Sequence, residues 1–250
     1  MNAIKNILDP FKKIALSDLD QVKLMNRTDQ KYCLHISKLP LILEAIKNEY
    51  SLLEIQDESL FNYDNTYFDT PDNQMYISHQ NGKRNRFKIR VRKYVQTSDH
   101  FLEVKFKNNK GRTLKERVER TDFESTLSSQ EINFIEESST YSGLQLEPKI
   151  RSFFSRFTLV DNEYTERVTI DIYPGFKNQE KEITLKNLVI IEVKQSKSCK
   201  PALITKILKE NKISSQGFSK YCIGRSLLEE KIKKNNFKPL LLKIRKEYNN

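Results

Sequence analysis

Between Phe87 and Arg92 the chain reads Phe-Lys-Ile-Arg-Val-Arg, with a cation at every second position and an apolar residue at each position between. Side chains alternate across a β-strand, so Lys88, Arg90 and Arg92 share one face and Phe87, Ile89 and Val91 share the other. Leu102–Lys107 repeats the pattern, with Glu103, Lys105 and Lys107 on the charged side. In Lys115–Glu119 it is Lys115, Arg117 and Glu119 that fall together. An ordinary half-buried strand scatters mixed polar residues on its outer face. Here that face is a column of cations with an occasional carboxylate, as suits a surface that holds a polyanion.

Charge balance agrees. The 250 residues carry 44 Lys and Arg against 33 Asp and Glu, a formal charge of +11. Such an excess favours nucleic acid, nucleotides, polyphosphate or an acidic membrane surface as partner, without choosing among them. The length and the absence of repeats or low-complexity linkers point to one domain over 1–250. Cys33, Cys199 and Cys222 have no metal-binding spacing, which suggests reduced thiols in a cytoplasm. No apolar run nears the ~20 residues of a spanning helix, and no signal-peptide core opens the chain. The three histidines show no triad or metal spacing.

Taken in order, residues 1–18 place Ile4, Ile7, Leu8, Phe11 and Ile14 at helical spacing among lysines. That reads as a basic amphipathic helix, docked on its own core or offered to a membrane surface or protein partner. A first strand covers 26–32, and Ser37 caps a helix reaching about Asn48. Residues 60–70 form an aromatic-rich strand, followed by a turn at Pro71–Asn73 and a helical turn at 75–79. Ser128-Ser129-Gln130-Glu131 is a capping box. Residues 166–173 alternate again and Pro174-Gly175 ends that strand. Leu188–Ser196 is the last strong strand. Pro201 sits in the first turn of a helix, and another helix begins near Ser219. The tail, 236–250, is basic.

Across these strands the cations on charged faces are Lys31, Arg90, Arg92, Lys105, Lys115, Arg117, Arg167 and Lys194, with Glu103, Glu119, Asp171 and Glu192 among them. An open sheet would turn that face to solvent or ligand; a closed barrel would make it a tunnel lining. The carboxylates relieve repulsion between crowded cations and suit a divalent ion bridging to phosphate. A nucleic-acid platform would rather interleave exposed aromatics with its cations. The aromatics here tend toward the apolar faces. The tunnel is therefore the favoured reading, and nucleic acid is not an expected partner.

The ordered set Arg27-Thr28-Asp29-Gln30-Lys31-Tyr32, Tyr67-Phe68-Asp69-Thr70-Pro71, Arg90-Val91-Arg92, Glu103-Val104-Lys105, Lys115-Glu116-Arg117, Arg167-Val168-Thr169-Ile170-Asp171, Ile191-Glu192-Val193-Lys194 and Phe218-Ser219-Lys220-Tyr221 resembles the VTC (vacuolar transporter chaperone) polyphosphate polymerase domain of the triphosphate tunnel metalloenzyme (CYTH-like) superfamily. The resemblance spans roughly 25–225. It implies an α+β fold: a closed antiparallel β-barrel of about eight strands forming a tunnel, with flanking helices. It also implies transfer of the terminal phosphoryl of ATP onto inorganic polyphosphate with Mn²⁺ or Mg²⁺. By position, Arg90, Arg92, Lys105 and Glu192 would carry the catalytic roles, with Glu192 holding the metal. Lys31, Lys115, Arg117, Arg156, Arg167 and Lys194 would bind phosphates, joined by Ser219 and Lys220 at a helix N-terminus, where free N–H groups attract anions. His79 and Gly217 stand where the fungal domain has an Arg and a Lys; fewer fixed charges would mean weaker chain binding, a shorter substrate or lost polymerase activity. A metal-dependent tripolyphosphatase or nucleoside triphosphatase, or a non-catalytic polyphosphate-binding module, are the alternatives.

Overall fold

The computed structural model describes residues 2–21, 27–123, 126–196 and 199–248. The N-terminal part holds α1 (Asn2–Leu8), β1 (Lys12–Ile14), β2 (Arg27–His35), α2 (Leu39–Ile46), β3 (Tyr50–Leu53), β4 (Phe61–Asp69) and α3 (Gln74–Gln80). Next come β5 (Arg86–Tyr94), β6 (His100–Lys107), β7 (Thr113–Arg120) and α4 (Ser129–Ser138). The rest is β8 (Glu147–Asp161), β9 (Glu166–Lys177), β10 (Glu182–Thr184), β11 (Leu188–Ser196), α5 (Leu203–Glu210), α6 (Lys220–Leu228) and α7 (Lys238–Glu247).

Eight strands run β2-β11-β9-β8-β4-β5-β6-β7 in one antiparallel path, with β1, β3 and β10 attached at the side. The expected ring is not completed by hydrogen bonds: among the described residues no ladder joins β2 to β7. Both edges have a physical reason to stay apart. Along β2, Tyr32 bridges to Ser215 and Gln216 N–H donates to the Lys31 carbonyl, so a short segment already occupies that edge. Along β7, Thr113–Arg117 and Glu119 are exposed, and charged side chains are a common way of keeping an edge strand from further pairing.

Alternation decides what the helices cover. Tyr32, Leu34, Val189, Ile191, Val193, Val168, Ile170 and Ile172 form one outer core with α1, α2 and α5. Ile89, Val91, Leu102 and Val104 form another beneath Ile135 of α4. Each buried aliphatic of this kind contributes about 1.5–3 kcal/mol. The N-terminal helix is therefore docked on its own core: Ile4, Leu8 and Phe11 are buried, and that apolar face is not open to another partner. It is also shorter than its spacing suggests. It ends at Leu8, just before Pro10, and Ile14 belongs to β1, which pairs in parallel with β3.

The opposite, concave face is divided. Cys33, Tyr67, Ile150 and Ile190 meet α6 and α7 at one end, while their same-face neighbours Lys31, Asn65, Ser152 and Glu192 continue toward the other. α6 lies close against the sheet because Gly224 has no side chain; a Cβ there would stand 2.4 Å from Phe176.

Several boundaries differ from the sequence expectation. Ser128 caps α4 in a true capping box with Glu131, and Ser219 caps α6. Ser37 instead lies in a short 3₁₀ turn ahead of α2, which ends at Ile46. Pro201 precedes the Ala202 N-cap of α5, outside the helix. Pro174 and Gly175 do not end β9: the register shifts there, Tyr173 takes a φ of 53°, and the strand runs on to Lys177. A bulge tolerates proline because it breaks the ladder locally. Asn26, the first residue of the expected strand, lies outside the described residues.

One buried acid sits in the outer core. Tyr50 O–H donates to Glu166 Oε1, and Ile204 N–H donates to the same phenol. Burial pushes the Glu166 carboxyl up to about 7. The unfolded chain ionises near the usual 4.5, so stability falls as pH rises from there to about 7, and the loss is complete above it. Glu166→Gln is expected to raise stability at pH 8 by about 2 kcal/mol and to change it little near pH 4. Thermal melts at the two pH values read this directly; an equal effect at both would contradict the assignment.

Candidate functional site

Strand register builds the site rung by rung. Glu192 of β11 lies opposite Lys31 of β2, Glu103 of β6 opposite Arg90 of β5, and Asp171 of β9 opposite Arg156 of β8. Each pair closes as an ion pair across the strands, and each carboxylate takes a second cation. Lys194 Nζ lies 3.6 Å from Glu192, which Lys31 also contacts. Arg90 donates to Glu103 at 2.6 and 2.8 Å, and Lys115 reaches it from β7. Arg156 donates to Asp171 at 2.5 and 2.9 Å, and Lys220 meets Asp171 from the start of α6.

Burial would raise all three carboxyls, but the cations override it. Lys194 and Lys31 hold Glu192 far below the usual range; Arg90, Arg92 and Lys115 do so for Glu103. Arg156 and Lys220 bring Asp171 down to about 2.

Other rungs set like charges face to face. Lys105 lies opposite Lys88 on one side and Lys115 on the other. Lys194 lies opposite Arg167. Such pairs repel unless an anion lies between them. Lys105 is crowded by further cations as well: proximity to Arg90, then burial, then Arg92 push its ammonium well below the usual value. Among the described residues Arg92 makes no ion pair; its Nε donates to Asn65 Oδ1 at 2.8 Å. Lys88 Nζ donates to Ser219 Oγ at 3.1 Å.

A cavity of about 850 Å³ opens on this face. Lys31, Glu192, Lys88, Lys105 and Ser219 line it, with residues of β2 and of β5–β7 on its walls. Strands at opposite ends of the sheet order share one cavity only if the sheet curls. Arg90, Arg92, Arg156, Lys220, Lys115 and Lys194 are not part of that lining; of their ion pairs above, only that of Lys194 with Glu192 reaches it directly. Arg167 joins through Lys194. Arg117 stands apart: it is exposed on the edge strand, its guanidinium over the Phe101 ring at 4.4 Å.

The charged face also holds aromatics, contrary to the sequence expectation. Tyr63 lies between Arg92 and Arg156, at 5.0 and 5.2 Å from its ring. The Tyr67 hydroxyl accepts from Arg90 at 3.1 Å, and Lys220 Nζ sits 4.0 Å over Phe154. Tyrosine has an apolar body and a polar tip, so hydropathy does not assign its face. The alternation Tyr63, Asn65, Tyr67 within β4 was the available signal. Lys88 and Asp171 carry that signal too and belong to the site.

At one side of the cavity stand His79 and Gly217, with Phe237 beside His79. Burial, then Lys88, Arg86 and Lys107, keep the His79 imidazole neutral. Neither position supplies a fixed charge.

Among the described residues no group of three His, Cys, Asp or Glu side chains could hold a metal ion by itself. Asp29 and Glu192 are the acids on the cavity wall. A magnesium-like ion typically takes one or two carboxylates and completes its shell with phosphate oxygens and water. The residues fit an ion shared with a phosphate ligand, and do not fit a dedicated protein cage.

The curled antiparallel sheet thus gathers the cations of separate strands on its concave face. The family model for the VTC domain matches residues 26–229, and the chain belongs to that family. No curated protein matches the chain. Among solved structures, a candidate adenylate cyclase of Bacillus halodurans is similar at 14% identity and a TM-score of 0.50, covering 78% of this chain and 96% of that one. A candidate adenylyl cyclase from Hippeastrum, described as having a dominant triphosphatase activity, is similar at 16% identity and a TM-score of 0.49, covering 84% and 100%. At these identities the Bacillus likeness concerns the fold alone. No helix among the described residues is long and apolar enough to cross a membrane.

Proposed function

We propose that the chain is a polyphosphate polymerase, acting as a single domain in the cytoplasm, that moves the terminal phosphoryl of ATP onto a polyphosphate chain within the basic cavity. The observation that carries this reading is the row Lys88–Lys105–Lys115, three ammonium groups set opposite one another across three strands. Lys115 is also tied to Glu103, but among the described residues Lys88 and Lys105 have no ion-pair partner, and linked phosphates along the row would turn repulsion into attraction.

The terminal oxygen of the chain attacks the γ-phosphorus of ATP; the bond from the β–γ bridging oxygen to that phosphorus breaks, and ADP departs with the electron pair. Such transfer needs positioning and charge neutralisation rather than a protein nucleophile. Arg90, Arg92 and Lys105 neutralise the transferring group, and arginine suits it through planar paired donors. Lys31, Arg156, Arg167, Lys194, Ser219 and Lys220 hold phosphates to either side, with Lys115 and Arg117 at the sheet edge. Glu192 would hold Mn²⁺ or Mg²⁺, which supplies charge stabilisation at the phosphate oxygens.

Hydrolysis of tripolyphosphate or a nucleoside triphosphate is the second reading, favoured by the uncharged His79 and Gly217 on the cavity wall. Incubation with ATP and Mn²⁺, followed by gel separation of products and assay of free phosphate, tests both. Lengthening chains are expected. Free phosphate without chains would replace the first reading with the second, and binding without turnover would overturn both.

A further inference from the structure

The repelling rungs do not stop at the cavity. Two residues outward from Lys88 and Lys105, Arg86 lies opposite Lys107, a step of about 7 Å along each strand. Arg86 and Lys107 line the cavity and also a separate groove of about 320 Å³ on the outer surface. Arg84 and Lys110 line that groove as well, and Lys83 and Arg112 adjoin it in the same two turns.

This lip differs from the interior in one respect. Inside, three carboxylates are each gripped by two cations. Along the lip, neither Asn81–Lys88 nor Val104–Lys115 contains an Asp or Glu. Among the described residues no ion pair is made by Lys83, Arg84, Arg86, Lys107, Lys110 or Arg112. Lys83, Arg84, Lys110 and Arg112 are exposed and outside both cores, so packing does not account for them. The positive-φ glycines Gly82 and Gly111 turn the chain beside them.

We propose that this lip is a second binding site, continuous with the cavity, for the phosphates of a long linear polyphosphate that extends beyond it. The inference rests on the function proposed above and adds a chain-length preference and a side of exit. A short substrate would be held by the cavity alone; a long one would also lie along the lip. Arg86 donates to the Lys83 carbonyl at 2.7 Å, but no carboxylate has to be displaced from any of these cations, so the outer site adds affinity through counterion release. Nucleic acid shares that electrostatics, but the groove is lined by Arg84, Arg86, Lys107, Lys110 and small polar residues, with no aromatic on which a base could stack.

The test compares wild type with Lys83→Gln/Arg84→Gln/Lys110→Gln/Arg112→Gln, binding tripolyphosphate, long-chain polyphosphate and single-stranded RNA over a salt series. The variant is expected to lose about tenfold or more in affinity for the long chain, with a shallower salt dependence. Its affinity for tripolyphosphate should stay within about twofold, because the cavity is untouched. If wild type binds tripolyphosphate and the variant keeps full long-chain affinity, the lip proposal falls and the cavity reading stands. If RNA binds the lip more tightly than long-chain polyphosphate, the assigned ligand is wrong. If wild type binds neither phosphate ligand, the proposed function falls, and the lip proposal with it.

Discussion

Glu103→Gln is expected to unfold roughly 10 °C below wild type and yet to bind tripolyphosphate more tightly. Glu103 is fully buried between Arg90 and Lys115, and Arg90 itself is only 8% exposed. Removing the carboxylate charge leaves a buried guanidinium without a counter-ion, which costs about 3–5 kcal/mol. In the proposed function the same carboxylate competes with phosphate for both cations. Its loss should therefore enlarge the stabilisation that tripolyphosphate confers, by the usual linkage of binding to folding. Melting curves with and without tripolyphosphate show both effects. A destabilised variant that gains nothing from the ligand would mean that Arg90 and Lys115 are structural and not phosphate ligands.

Glu192→Gln is the second large effect. Turnover should fall by at least about a hundredfold, and metal should no longer raise what remains. Lys31 and Lys194 lose their shared carboxylate in this variant, so tripolyphosphate binding in the absence of metal should be kept or strengthened. That combination separates a metal role from a general collapse of the site. Unchanged turnover with unchanged metal dependence would remove Glu192 from the mechanism.

The strands were legible where both faces are dictated at once. In Phe87–Arg92 and Leu188–Ser196 a one-residue slip would bury charges in an aliphatic core, so the pattern permits one reading. Caps were legible for the same reason: Ser128 with Glu131 and Ser219 each satisfy specific N–H groups. Less was legible where a pattern serves two structures. Ile4, Leu8, Phe11 and Ile14 repeat like a helix, yet Pro10 breaks them into a helix, a turn and a strand. Pro174-Gly175 punctuates like a strand end and is instead a bulge. Partner choice was hidden as well. That Asp171 takes both Arg156 and Lys220, 15 and 49 residues away, follows from register and from the docking of α6. No local pattern states either. Closure of the ring was expected from the interleaved carboxylates and from the family likeness, and periodicity says nothing about it. What decides it is the segment at Ser215–Gln216 and the charged β7 edge.

The most direct measurement of the central claim is a calorimetric titration of the full chain with inorganic tripolyphosphate at physiological salt, repeated with Lys105→Ala. One site per chain is predicted for wild type, weakened at least about tenfold in the variant, because Lys105 stands opposite Lys88 and beside Arg90 and Arg92, and a bound anion would offset that repulsion. Absence of a saturable site in wild type, or equal affinity in the two proteins, would contradict the account.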